Sequence, residues 1–112
     1  MARLVVYGRS GPCPDMYRWK RWVSGYDLEY VEFDIDTDAE AERKVLDWTG
    51  YRSVPTLVIA SDDGVDPIAE PTTLARGQGP RAIDRGTMLT EPSPGQIEAF
   101  FERNGIAFSR TA

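Results

Sequence analysis

The single cysteine of this 112-residue chain, Cys13, stands in the run Ser-Gly-Pro-Cys-Pro-Asp-Met, with a proline on each side and a helical pattern after it. Pro14 suits the first position of a helix, where a missing N–H is no loss. That would make Cys13 the cap of the helix. The unpaired N–H groups of the first turn and the helix dipole favour thiolate over thiol there. In such settings a cysteine pKa of about 8.5 falls to roughly 3.5–7.5. Arg9 is placed to add positive charge, and Asp15 works against it. The competing reading is a small buried residue, since free cysteines are often buried. Against it, the neighbours of Cys13 are Gly11, Pro12, Pro14 and Asp15, not an apolar pattern.

One cysteine excludes an intrachain disulfide, and the absence of histidine excludes a Cys–His pair or a structural zinc site within the chain. A second constellation is Thr-Gly-Tyr-Arg-Ser-Val-Pro-Thr-Leu-Val-Ile, in which Pro55 opens a strongly β-prone run. Cis peptides are only about 5–6% of X-Pro bonds in folded proteins, so composition alone makes Val54–Pro55 trans. Asp34, Asp36, Asp38, Glu40 and Glu42 lie close together at a strand end and a helix start. A solvated edge is expected there, not a metal site.

The elements that must position these residues follow from the hydrophobic pattern. Residues 3–8 read as a short buried strand. Met16, Trp19 and Val23 then share a helical face, with Trp22 beside them, and core packing is the expected role of both tryptophans. Residues 28–36 alternate as a second strand. Thr37 with Glu40 reads as a capping box for a helix carrying Ala41, Val45 and Trp48. The run from Val54 is a central strand. From residue 61 to 84 the chain has little periodicity and forms a long surface loop, and loops of this length are often functional. A fourth strand is expected near residues 84–89, with residues 65–70 as the other candidate. Ser93, Pro94 and Gln96 then open a last helix with Ile97, Phe100 and Phe101 on its apolar stripe. The order β-α-β-α-β-β-α implies one small mixed sheet of four strands flanked by three helices, in a single domain over residues 1–112.

Net charge is −5, and the basic residues are scattered. That pattern does not suit nucleic acid as the main partner. The N-terminal apolar run, residues 4–7, is too short for a signal peptide or a membrane span, which makes a cytoplasmic, reducing compartment the expectation.

A cysteine followed by proline at a strand-to-helix turn, together with Arg-Ser-Val-Pro ahead of a central strand, resembles the glutaredoxin family of the thioredoxin-like fold. The likeness runs from Leu4 to about Ile59 and resumes at the last helix. It implies that Cys13 is the nucleophile and that Pro55 is cis and lies beside it. It further implies a thiol-substrate site of Arg9, Pro14, Arg52, Ser53, Val54 and Pro55. Main-chain groups of Val54 would pair with the small thiol as an added strand does. The co-substrate would be glutathione or another low-molecular-weight thiol, with no tightly bound cofactor, and the partners would be protein mixed disulfides. A monomer is expected.

Three departures stand beside the likeness. Met16 replaces the second cysteine of Cys-x-x-Cys. Cys-Pro-Asp-Met replaces the Cys-Gly-Phe-Ser of the iron–sulfur members. No Gly-Gly-x-x-Asp pattern, which holds the γ-glutamyl end of glutathione in the family, precedes the last helix. The alternatives are a non-catalytic thioredoxin-fold binding module and an iron–sulfur carrier.

Overall fold

The computed structural model describes residues 2–111. The apolar run at the N-terminus forms β1 (Ala2–Gly8), and its residues from Leu4 to Tyr7 are all buried. They are buried on both faces because β1 is an interior strand. A hydrophobic run without alternation is what such a position requires. Pro14 opens α1 (Pro14–Val23), which buries Met16 and Trp19. The next strands are β2 (Tyr26–Asp27) and β3 (Val31–Asp34), and β3 runs parallel to β1 with Val5 opposite Val31.

Helix α2 (Ala39–Thr49) follows, capped by Asp38, whose carboxylate accepts from the Ala41 N–H at 3.1 Å. The expected cap, Thr37, lies one residue before the actual cap in the turn after β3, where its hydroxyl donates to the Asp34 carbonyl. Asp38 prevails because its side-chain oxygen reaches an unpaired amide of the first turn. Gly50 ends α2 in the left-handed region at φ 80°, a conformation that costs glycine little.

Strand β4 (Thr56–Ser61) lies antiparallel to β1, with Val5 opposite Val58. The segment expected to hold one strand holds two, β5 (Ile83–Asp84) and β6 (Met88–Thr90), turned back on each other. Helix α3 (Pro94–Asn104) comes next, where the Gln96 side chain accepts from the Ser93 N–H at 3.0 Å. The last strand, β7 (Ser109–Arg110), pairs with β2 in a separate two-stranded sheet. The main sheet has the order β3-β1-β4-β6-β5, mixed in direction, and with three helices around it makes a thioredoxin-like α/β fold.

Adjacent residues at the end of β1 place the helices. A Cβ on Gly8 would lie 2.5 Å from the Met16 ε-methyl, so α1 packs directly on that glycine. Tyr7, pointing the other way, meets Trp48 of α2 edge to face at 5.2 Å between ring centroids. Helices α1 and α2 therefore cover opposite faces. Trp22 of α1 contacts Phe101 of α3, which joins those two on one side. Trp19 is fully buried, as expected of a core residue, and Trp22 stacks on Tyr26 at 4.1 Å.

The long loop is fastened to this body along its length. The Arg3 guanidinium donates to the Gly64 carbonyl, the Tyr7 hydroxyl to Val65 at 2.5 Å, and Arg85 to Thr72 and Trp48 at 2.7 and 2.8 Å. Among the described residues, no helix is long and apolar enough to cross a membrane.

Candidate active site

Cys13 leaves β1 by way of the turn at residues 9–12 and caps α1 in an extended conformation, φ −158° and ψ 120°. Its carbonyl accepts the Tyr17 N–H at 3.0 Å, the first bond of the helix. The N–H groups of Asp15 and Met16 have no carbonyl partner within the helix and open toward the cap. The thiol is free and half-buried. It lines an open cavity of about 580 Å³ together with Arg9, Pro14, Met16, Tyr17 and Lys20.

The turn before Cys13 is held by two carboxylates at the end of β3. Asp34 accepts the Ser10 N–H at 3.2 Å. Asp36 accepts the Gly11 N–H at 2.9 Å and Arg9 Nε at 3.2 Å, and its other oxygen accepts Arg52 Nη2 at 2.6 Å. The Gly11 amide, followed by the Arg52 and Arg9 guanidinium groups, keeps the Asp36 carboxyl below the usual carboxylate range. Asp34 is lowered as well, chiefly by its hydrogen bonding with Ser10. Asp36 thus connects the turn that carries Cys13 to the segment that carries Pro55. Arg52 is bound a second time, by Glu42 at 2.8 Å.

That segment is buried at Ser53, Val54 and Pro55, and the Val54–Pro55 peptide is cis, against the trans bond that composition alone predicts. Pro55 lines a small cleft with Asp15 and Trp19, so it lies against the first turns of α1. Its carbonyl accepts the Glu91 N–H at 2.9 Å. Among the described residues none pairs with the main chain of Val54.

A second ionic group closes the other side. Arg81, from the long loop, donates to both oxygens of Asp15 at 2.9 and 3.0 Å and to Glu91 at 2.9 Å. Arg18 also bonds to Asp15. The Asp15 carboxyl is lowered, first by Arg81. Glu91 is raised, first by burial and then by its contact with Asp15. Arg81 and Glu91 share a recess of about 330 Å³ with Arg52 and Ser53.

The structure therefore brings Cys13, Arg9 and Pro14 to one cavity and places Arg52 and Ser53 on another, with Asp36 as the link. The Val54 side chain turns into the core. Sequence reasoning missed Asp36, Arg81 and Glu91. Asp36 looks like one of several acids on a wet edge, and Arg81 lies in a stretch without periodicity. No group of residues suited to a metal ion occurs among the described residues.

Such an arrangement can present a half-buried sulfur nucleophile in an open cavity, on a turn that Asp36 ties to the segment before Pro55. No curated protein and no solved structure matches this chain. The family model described as Glutaredoxin matches residues 4–63, a span that begins in β1, passes Cys13 and Val54–Pro55, and ends just beyond β4. That match covers more than half of the sequence, and the chain belongs to the glutaredoxin family.

Proposed function

We propose that this protein is a monothiol thiol–disulfide oxidoreductase that removes a small thiol from protein mixed disulfides. One observation carries the reading: the single cysteine caps α1 with its thiol free and half-buried in an open cavity.

In the first step the Cys13 thiolate attacks the small-thiol sulfur of a protein–S–S–R bond. A Cys13–S–S–R bond forms, and the protein sulfur leaves as thiolate and takes a proton from water. In the second, the thiolate of another R–SH molecule attacks the R sulfur. This releases R–S–S–R and restores the Cys13 thiolate. Met16 has no thiol, so the second step must come from solution. Such a cycle needs a reducing compartment rich in small thiol, which favours the cytoplasm, and a monomer suffices for it.

The test is turnover of a mixed-disulfide substrate with wild type and Cys13→Ser, alongside mass spectrometry of the trapped Cys13–S–S–R adduct. Wild type should turn over and carry the adduct, and Cys13→Ser should do neither. Equal turnover by the two proteins would remove the proposal.

A further inference from the structure

We propose that the protein substrate of Cys13 carries its mixed disulfide within an acidic segment, and that this segment docks on the exposed basic face of α1, on Tyr17, Arg18, Lys20 and Arg21. This inference rests on the thiol-exchange reading above and names the class of protein on which that exchange acts.

Charge is unevenly spread over this chain. Its net charge is −5, yet the cavity that holds Cys13 is lined by Arg9, Arg18 and Lys20 and by no carboxylate. Helix α1 has one acidic residue, Asp15, which lies on the cleft beside Pro55 and is bound there by Arg81. On the outer side of the helix Tyr17, Arg18, Lys20 and Arg21 are all exposed. Spacings of three and four make Tyr17, Lys20 and Arg21 neighbours on that surface. The Arg21 guanidinium donates to the Tyr17 hydroxyl at 3.4 Å. Among the described residues, neither Lys20 nor Arg21 meets a carboxylate. Arg18 bonds to Asp15, but Arg81 holds both oxygens of that carboxylate, so Arg18 can turn outward without leaving Asp15 unpaired. The acids on the turn before Cys13, Asp34 and Asp36, are bound to its amides and to Arg9 and Arg52.

These cations extend beyond the reach of a small thiol. Along α1, Arg18 lies about 8 Å and Arg21 about 12 Å from Cys13, at 1.5 Å per residue. An extended partner chain covers those distances in about two to four residues. Carboxylates at that separation from the substrate cysteine therefore meet Arg18, Lys20 and Arg21. The Tyr17 ring, 64% exposed, offers the same segment an apolar contact between them. Complementary charge of this kind raises the encounter rate and selects the partner.

The experiment uses three peptides, each with one cysteine joined to 2-mercaptoethanol, so that the small thiol is uncharged. On both sides of the cysteine, two to four residues away, they carry glutamate, glutamine or lysine. The Cys13 thiolate attacks the hydroxyethyl sulfur, a Cys13–S–S–hydroxyethyl bond forms, and the peptide thiolate leaves. The measured quantity is the rate of that step under single turnover. Each rate is divided by that of an uncharged reference thiol with the same peptide, which removes differences in leaving group. The glutamate peptide should exceed the lysine peptide by about tenfold at low salt, the low end of what local charge adds to encounter rates. The glutamine peptide should fall between them. The gap should narrow toward unity at about 0.5 M salt, where screening is strong. Lys20→Gln with Arg21→Gln should bring the glutamate peptide to within about twofold of the glutamine peptide. Both residues are exposed, so the pair of substitutions spares the core. Equal rates, a preference for the lysine peptide, an advantage indifferent to salt, or one unchanged by the double substitution would overturn the inference and leave thiol exchange standing. If Cys13 takes the small thiol from none of the three, the exchange reading fails and takes the inference with it.

Discussion

Replacing Met16 by cysteine tests the geometry at the head of α1. Met16 is 3% exposed, and its ε-methyl packs on Gly8. Met16→Cys removes two heavy atoms from that contact. The lost burial and the residual cavity together cost about 2 kcal/mol in the reduced protein. Position 13 is the cap and position 16 the third residue of the helix. Residues three apart on a helix have side chains about 5–6 Å apart at Cβ, and a modest rotation of the cap brings them into disulfide range. Closing a loop of four residues constrains the unfolded chain by about 2 kcal/mol. The oxidised variant should therefore regain what the reduced one lost and come within about 1 kcal/mol of wild type. In thermal melts with and without a dithiol reductant, the two forms of the variant should differ by roughly 10 °C. Intact-mass analysis of the monomer should show the loss of two hydrogens on oxidation. A variant that oxidises only to dimers, or whose two forms melt together, would refute the placement of residue 16 beside the Cys13 sulfur.

Two further outcomes follow from the ionic groups. Burial and Asp15 raise the Glu91 carboxyl above its ordinary value of 4.5, so the folded state holds that proton more tightly than the unfolded state does. Its ionisation therefore removes stability as pH rises through and beyond 4.5, and Glu91→Gln should gain on wild type between acid and neutral pH, by less than about 1 kcal/mol because the ion pair it gives up is with the largely exposed Arg81. Asp15 has the opposite sign: lowered from 3.8, it contributes stability above that value and loses it as the pH falls further, so Asp15→Asn should cost stability at neutral pH and little in acid. Urea midpoints measured across this range check both, and a Glu91→Gln advantage that grows toward acid would contradict the assignment. Arg85→Ala should destabilise the fold by about 2–3 kcal/mol, because two backbone carbonyls lose a charged donor. Limited proteolysis should then cut faster within residues 62–82, and an unchanged cleavage rate would show that the loop is held by other means.

Local chemistry, the kind written in neighbouring residues, is legible in the chain itself. The unbroken apolar run of β1, Pro14 at the head of α1, and the Ser93-Pro94-Gln96 start of α3 all lie where the sequence pattern puts them. Each depends on contacts within a few residues, which spacing reveals. Cys13 at a helix cap is of the same kind. Two local readings shifted by small amounts: the α2 cap moved from Thr37 to Asp38, and the last part of the sheet gained β5. Competing caps one residue apart differ little in sequence terms, and a two-residue edge strand has no periodicity to read.

The charge pattern around Cys13 was decided only in three dimensions. Arg9 meets Asp36 across 27 residues, Arg52 meets it across 16, and Arg81 reaches Asp15 across 66. No spacing rule predicts such pairs, because they form where the sheet brings β1, β3 and the start of β4 side by side and where the long loop returns to α1. The sequence supplies the cysteine and the proline. The tertiary structure sets which carboxylates the arginines around them meet, since ion pairing depends on distance through space and not along the chain.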